Sequence, residues 1–581
     1  MCGIVCMLGE NPKINVINGL YMLENRGYDS CGISFLNNNK KFNIFKKNNI
    51  KSLEKEVKEN FNGESINSIG HTRWATHGII DIKNSHPHLS MDNKFCIVHN
   101  GIIENIETIK EILNKHNYIQ KSDTDTEIIV NLLSHYYHET NYNIYNSLDK
   151  LKNILEGSYA FCIQHEETPD IIYSLCKNIP LLVGYNNDSL MIVSEISALD
   201  KTYVKYIDQQ DDKIYTYKYK NNKIMIPYEN HTIKSLIQKH NNILSEEDWT
   251  IQEIKEQPSI IDGIISRHIV DGKITFDGIF DMSKIEHIIL LGCGTSFNTC
   301  CIGKHYLKKY MSNIYVDAID GSEFTIKDVP HKGEVLYIFV SQSGETKDLH
   351  KCITLIGKSK KIGIINTEFS YISKKMDYVC YLGAGKEIGV ASTKSFTSQL
   401  TMLSLLSMYI SKTIIPEKDL YKLPNDIYKT LETNINSYKI INNNCYVLGS
   451  GIDIHVAYEG ALKIKELSYI HAEGYSSSSL KHGPFALLDE QFCVILIQPD
   501  NEFYNKNENI YHEIISRKSN IIIITNKKDM DKENVIYVEK NNTYQEILNI
   551  IPLQLMSYYL SKKNNINPDK PRNLAKVVTV L

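Results

Sequence analysis

At 581 residues the chain exceeds what one hydrophobic core organises, so several domains are expected. With 42% hydrophobic and 23% charged residues it is an ordinary globular composition, and a net charge of −4 gives no electrostatic reason for a nucleic-acid or anionic-membrane partner. There is no basic n-region, no apolar run of about 18 residues, and no CxxC among thirteen cysteines, which argues against secretion, a membrane span, a disulfide framework or a zinc ribbon and points to a reducing cytoplasm.

The chain starts with Met1-Cys2-Gly3-Ile4-Val5. Removing Met1 would leave a thiol and a free α-amine on one residue, with reference pKa values of about 8.5 and about 8, so the amine could take the thiol's proton. The competing reading is a small apolar residue in an N-terminal strand. From Cys2 to about Pro227, short β-like runs such as Phe95–Val98, Tyr159–Ile163 and Leu190–Val193 mix with a few helices, which predicts layered sheets and helices rather than βαβ units.

Three stretches here carry chemistry. His71-Thr72-Arg73-Trp74-Ala75-Thr76-His77-Gly78 packs donors around one guanidinium fork suited to a carboxylate. His71, His77, His86 and His88 lack metal-ligand spacing, so no metal is expected. Phe95–Val98 runs into His99-Asn100-Gly101, either a type I′ hairpin turn or an oxyanion hole built from the Asn100 amide and the Gly101 N–H. Thr124 with Glu127 fits a capping box, and Asp125 beside it could face a substrate ammonium group.

These stretches, with Glu24-Asn25-Arg26-Gly27-Tyr28-Asp29-Ser30, resemble the N-terminal-nucleophile glutamine amidotransferases. The resemblance implies an αββα glutaminase sandwich over residues 2–230, with Cys2 as nucleophile and Asn100 and Gly101 as oxyanion hole. It further implies that Arg73, Thr76, His77 and Asp125 grip glutamine and that Trp74 gates the ammonia. Cys6 departs from the family, which usually has Gly there.

Residues 231–249 are polar and aperiodic and are expected to be a linker. From Thr250, apolar strands alternate with amphipathic helices, the pattern of a parallel sheet. This part repeats. Gly292 and Gly449 stand 157 residues apart in similar strands, as do Val340 and Ile497, and Tyr378 and Val535, while Gly363–Thr367 pairs with Ile521–Thr525 close to that offset. Four strands in the same order predict a duplicated α/β subdomain.

Within it, Val335–Val340 delivers Ser341-Gln342-Ser343-Gly344-Glu345-Thr346 to a helix start, a phosphate cradle, with Gly292-Cys293-Gly294-Thr295-Ser296 adding donors. Glu459, Lys463 and Glu466 fall on one helix face, and on spacing alone a solvated ion-paired face is the better reading. His482 in Leu480–Pro484 and Lys576 in the apolar C-terminus would add an imidazole and an amine, the latter a Schiff-base candidate.

These motifs, with Glu387–Lys394 and Pro571–Lys576, resemble the isomerase half of the glutamine–fructose-6-phosphate aminotransferases. Ser479 departs from bacterial members, which usually carry Glu there. The resemblance implies two SIS-type doubly wound parallel-sheet subdomains, residues 250–425 and 426–560, with 561–581 as a tail completing the sugar site. It places the sugar phosphate on Thr295, Ser296, Ser341, Gln342, Ser343, Thr346, Val390 and Ser392, and the chemistry on Lys463, Glu466, His482 and Lys576. The expected substrates are L-glutamine and D-fructose 6-phosphate, the expected state a homodimer or higher homo-oligomer. No cofactor is implied. A different amidotransferase and a catalytically silent sugar-phosphate sensor are the competing readings. The SIS repeat disfavours the first, and the presence of Cys2, Glu466 and Lys576 the second.

Overall fold

The computed structural model describes residues 2–37, 39–74, 81–199, 202–203, 205–226, 234–235, 247–311, 313–413, 415–435 and 443–577. The chain divides into two compact units, residues 1–240 with 369–371 and 575–581, and residues 241–368 with 372–574.

The first unit holds two antiparallel sheets. One has eight strands and places Gly3–Gly9 between Ser189–Val193 and Ser65–Arg73; the other has six, with Phe95–Ile103 beside Gly157–His165. Strand alternation makes the layers, because successive side chains leave opposite faces. Val5 and Met7 pack on Val16, Ile17 and Leu20 of helix Pro12–Met22. Ile4, Cys6 and Leu8, on the other face, meet Cys96, Val98, Ala160 and Cys162 of the second sheet. Phe95 and Ile97 then face Ile129, Leu132 and Leu133 of helix Asp125–Glu139. The result is the expected αββα sandwich. Cys6 is fully buried between the sheets, where it fills core volume.

The second unit contains two five-stranded parallel sheets. In the first the order is Tyr315–Asp320, Ile285–Gly292, Glu334–Ser341, Lys360–Ile365, Tyr378–Tyr381; in the second it is His471–Ser476, Asn444–Gly449, Cys493–Ile497, Asn520–Thr525, Val535–Tyr537. The identical order matches the 157-residue repeat and extends it by an edge strand in each sheet. Both sheets feed one apolar core together with helix Lys394–Ile410, which is buried on every side except at its C-terminal end. No helix among the described residues is long and apolar enough to cross a membrane.

Two boundaries differ from expectation. Lys234–Ser235, within the expected linker, pairs with Lys205–Tyr206, and Trp249 already begins a helix, Trp249–Lys255. The rest of the linker up to residue 246 lies outside the described residues. The 425/426 division falls inside helix Lys418–Leu431, which continues through Pro424 because its buried stripe, Leu420, Leu423 and Ile427, outweighs the lost N–H.

Candidate active sites

Cys2 precedes the strand that lies near the middle of the eight-stranded sheet. The Trp74 N–H donates to Cys2 Sγ at 3.4 Å, and the Asn100 amide donates to the Cys2 carbonyl at 3.2 Å. Gly27 makes the first contact possible: a Cβ there would stand 2.6 Å from the Arg73 carbonyl carbon and 2.8 Å from Trp74 N. Burial pushes the Cys2 thiol above its ordinary value, against the pull of the Trp74 N–H, Arg73 and Arg26. A thiolate at Cys2 therefore depends on the Trp74 N–H and the two nearby guanidinium charges. Arg73 is buried, and the Trp74 ring lies edge-on to Tyr28 at 5.3 Å.

Asn100-Gly101 is not a hairpin turn. The strand runs on to Ile103, and Gly101 pairs with Tyr159. Its φ is +127° and a Cβ would meet the Ser158 carbonyl at 2.1 Å, so the glycine is required by backbone contact inside a sheet. Asp125 opens helix Asp125–Glu139 and accepts from the Ile103 N–H at 3.4 Å. Thr124 caps that helix by accepting the Glu127 N–H, but the Glu127 carboxylate turns to the Lys121 and Ser122 N–H groups, so the capping box is only half formed. Thr76 and His77 lie outside the described residues.

In the second unit the candidate residues gather where the parallel strands end, the usual ligand edge of such sheets. Glu459, Lys463 and Glu466 do share a face, but Glu459 and Lys463 are buried and only Glu466 is partly exposed. Lys463 Nζ lies 2.5 Å from Glu466 Oε2, 3.5 Å from Glu459 Oε1 and 3.1 Å from Thr295 Oγ1. Thr295 and Asn298 donate to the two oxygens of Glu459 at 3.0 and 2.8 Å. Burial alone would lower the Lys463 pKa; the two carboxylates outweigh it and hold the ammonium charged. Burial raises the Glu459 carboxyl, opposed by Lys463 and the two donors. Asn298 and Glu459 are absent from the sequence-derived site; the i, i+3 spacing from Thr295 to Asn298 was the only signal for the first.

The Ser341–Thr346 loop folds on its own hydroxyls. Ser341 Oγ accepts the Gly344 N–H at 3.0 Å and lies 3.2 Å from Thr346 Oγ1, and Ser343 Oγ accepts the Glu345 N–H at 3.1 Å. Asn366 and Thr367 N–H groups bind the Gln342 carbonyl. Helix Lys347–Ile356 follows at once. Ser296 turns to Gln399, whose amide donates to it at 3.2 Å. Val390 N–H donates to the Asp569 carbonyl at 3.2 Å, the Asp569 carboxylate accepts the Trp249 and Thr250 N–H groups, and the Arg572 N–H donates to the Tyr469 hydroxyl at 2.6 Å, so the tail is docked at Asp569 and again at Arg572. Ser392 is half-buried in the loop that Glu387 closes. His482 ends the 3-10 turn Ser477–His482 and is exposed; among the described residues no hydrogen bond joins its ring to the Lys463 network. Lys576 is half-buried in the C-terminal segment assigned to the first unit.

Comparisons with known proteins fit both units. A glutamine amidotransferase domain model matches residues 71–201, and an SIS domain model matches 281–409 and again 441–561. The C-terminal domain of glucosamine-fructose-6-phosphate aminotransferase from Francisella tularensis superposes with a TM-score of 0.52 at 28% identity, covering 57% of this chain and all of that one. The glutamine–fructose-6-phosphate aminotransferase (isomerizing) of Caldanaerobacter subterraneus is 35% identical over the full length of both chains. An Acanthamoeba polyphaga mimivirus chain, described as a probable enzyme of that name, is 39% identical, again over the whole of both. The chain belongs to the glutamine–fructose-6-phosphate aminotransferase (isomerizing) family.

Proposed function

We propose that the chain converts L-glutamine and D-fructose 6-phosphate into L-glutamate and D-glucosamine 6-phosphate. Full-length family membership supports the reaction, and the Cys2 sulfur on the Trp74 N–H is the observation that carries its first half. The Cys2 thiolate attacks the glutamine amide carbon, and the oxyanion is met by Asn100 and Gly101. The nitrogen leaves as ammonia past Trp74, and water hydrolyses the thioester to glutamate. Arg73 and Thr76 hold the α-carboxylate with His77 beside them, and Asp125 the α-ammonium group.

At the sugar site, Thr295, Ser296, Ser341, Gln342, Ser343, Thr346, Val390 and Ser392 seat the sugar phosphate. His482 assists ring opening, and Lys576 condenses with the C2 carbonyl, releasing water. Ammonia then displaces the lysine, and Glu466, paired with Lys463 at 2.5 Å, moves the proton between C1 and C2. The 157-residue repeat supports a two-subdomain isomerase. A cytoplasmic homo-oligomer is the setting that suits this reading. The test is to mix purified chain lacking Met1 with both substrates and seek glucosamine 6-phosphate by mass spectrometry. Its formation at the expense of glutamine is expected; no product overturns the proposal.

A further inference from the structure

Behind the Cys2 site, buried histidines converge on one hydroxyl. Thr126 Oγ1 lies 2.7 Å from His86 Nε2, 2.9 Å from His99 Nδ1 and 3.3 Å from Asp125 Oδ1. A hydroxyl has one proton and two lone pairs. A carboxylate only accepts, so the Thr126 proton goes to Asp125 and both imidazoles donate to the oxygen. This gives His86 its proton on Nε2 and His99 its proton on Nδ1. His71 Nε2 stands 2.9 Å from the His99 carbonyl, which also only accepts, so His71 carries its proton on Nε2.

The three remaining ring nitrogens test the assignment. His71 Nδ1, His86 Nδ1 and His99 Nε2 are buried and have no hydrogen-bond partner among the described residues. An unpartnered bare nitrogen costs less there than a buried N–H with no acceptor. Each ring thus spends its only proton where an acceptor waits. Burial also pulls His71 down to about 3 and His86 well below the usual imidazole range, so these two rings stay neutral.

We infer that Thr126 is a positioning residue: its hydroxyl aims the Asp125 carboxylate at the substrate's α-ammonium group and keeps the His99 N–H off that carboxylate. His99 Nδ1 already stands 3.7 Å from Asp125 Oδ1. Without the hydroxyl, its N–H turns to the carboxylate and competes with the ammonium group for the same lone pair. The inference rests on Asp125 binding the α-amine, as read above.

The experiment compares kcat/KM of the full-length chain, without sugar phosphate, for glutamine and for 4-carbamoylbutanoate, the same amide lacking the amine. A wild-type chain that hydrolyses glutamine but does not prefer it would sink the role of Asp125 itself. Given that preference, Thr126→Val is expected to lower kcat/KM for glutamine about tenfold, the equivalent of one hydrogen bond, mainly through KM. Its activity on 4-carbamoylbutanoate should stay near wild type, and Thr126→Ser should restore glutamine. Equal losses on both amides, no loss on glutamine, or no rescue by serine would overturn the inference. Thr126→Ala replaces the valine variant if the latter does not fold.

Discussion

Lys463 cannot be removed without stranding a charge. Glu459 is fully buried, and Lys463 is the cation that meets it among the described residues. Lys463→Met is therefore expected to cost about 3 kcal/mol or more, read as a lower thermal midpoint, besides abolishing aminosugar formation. Lys463→Met with Glu459→Gln should regain part of that midpoint, because no unpaired buried charge is left. Cys2→Ala should lose glutamine hydrolysis yet still bind fructose 6-phosphate by calorimetry; normal hydrolysis would remove Cys2 as nucleophile. Lys576→Ala should keep glutaminase activity and make no aminosugar. The helix face of Glu459, Lys463 and Glu466 was legible from spacing, since 3.6 residues make a turn. The burial of Glu459 and Lys463 was not, because Thr295 and Asn298, the groups that meet Glu459, come from more than 160 residues earlier in the chain. At Asn100-Gly101 the sequence likewise left a turn and an oxyanion hole open. The dipeptide favours a hairpin turn locally, and only the approach of Ser158 shows why the glycine is needed inside a strand.

Among the elements, helix Lys394–Ile410 has an unusual cap. Its N-cap residue Thr393 makes no side-chain cap, and Glu387 does the work from six residues upstream. The Glu387 carboxylate accepts the Thr393 and Ser395 N–H groups at 2.9 and 3.1 Å and the Ser395 hydroxyl at 2.8 Å. A negative group at a helix N-terminus is favourable twice, through hydrogen bonds and through the helix dipole. Glu387→Ala is expected to destabilise the chain by about 1–2 kcal/mol in denaturant unfolding, with Glu387→Gln losing less. Between them, Glu387 and this helix bracket Val390 and Ser392, so the alanine variant should also weaken sugar-phosphate binding; unchanged binding would detach the cap from the site. The strands of this unit were legible because parallel strands covered on both faces read as unbroken apolar runs. The edge strands Tyr315–Asp320 and His471–Ser476, half-exposed and mixed in polarity, carried no such signal.

At the scale of the whole second unit, two buried carboxyls tie its helices together. Asp453 accepts from Asn549 at 2.8 Å, and Glu546 accepts from the Tyr306 hydroxyl. Burial raises both to about 7, with each partner's hydrogen bond opposing the shift and Asp453 adding to that of Glu546. Both folded values exceed the unfolded ones, so the folded unit binds more protons. The resulting stabilisation is full below the unfolded values and is lost as pH rises through about 7. The thermal midpoint should fall by several degrees between about pH 6 and about pH 8.5, and Asp453→Asn with Glu546→Gln should flatten that fall. The two subdomains share a strand order, yet the second no longer has the first one's seat. The counterpart of Ser341–Thr346 is Gln498-Pro499-Asp500-Asn501-Glu502-Phe503, where Asp500 is tied to Lys540 at 2.9 Å. Conversely, the first copy has Ile302, Tyr306 and Lys309 where the second has Glu459, Lys463 and Glu466. On the proposed reading, duplication has become complementation: one copy would keep the anion seat and the other the proton-moving helix, so that neither would work alone. A chain with two isomerase subdomains should therefore titrate with a single equivalent of sugar phosphate.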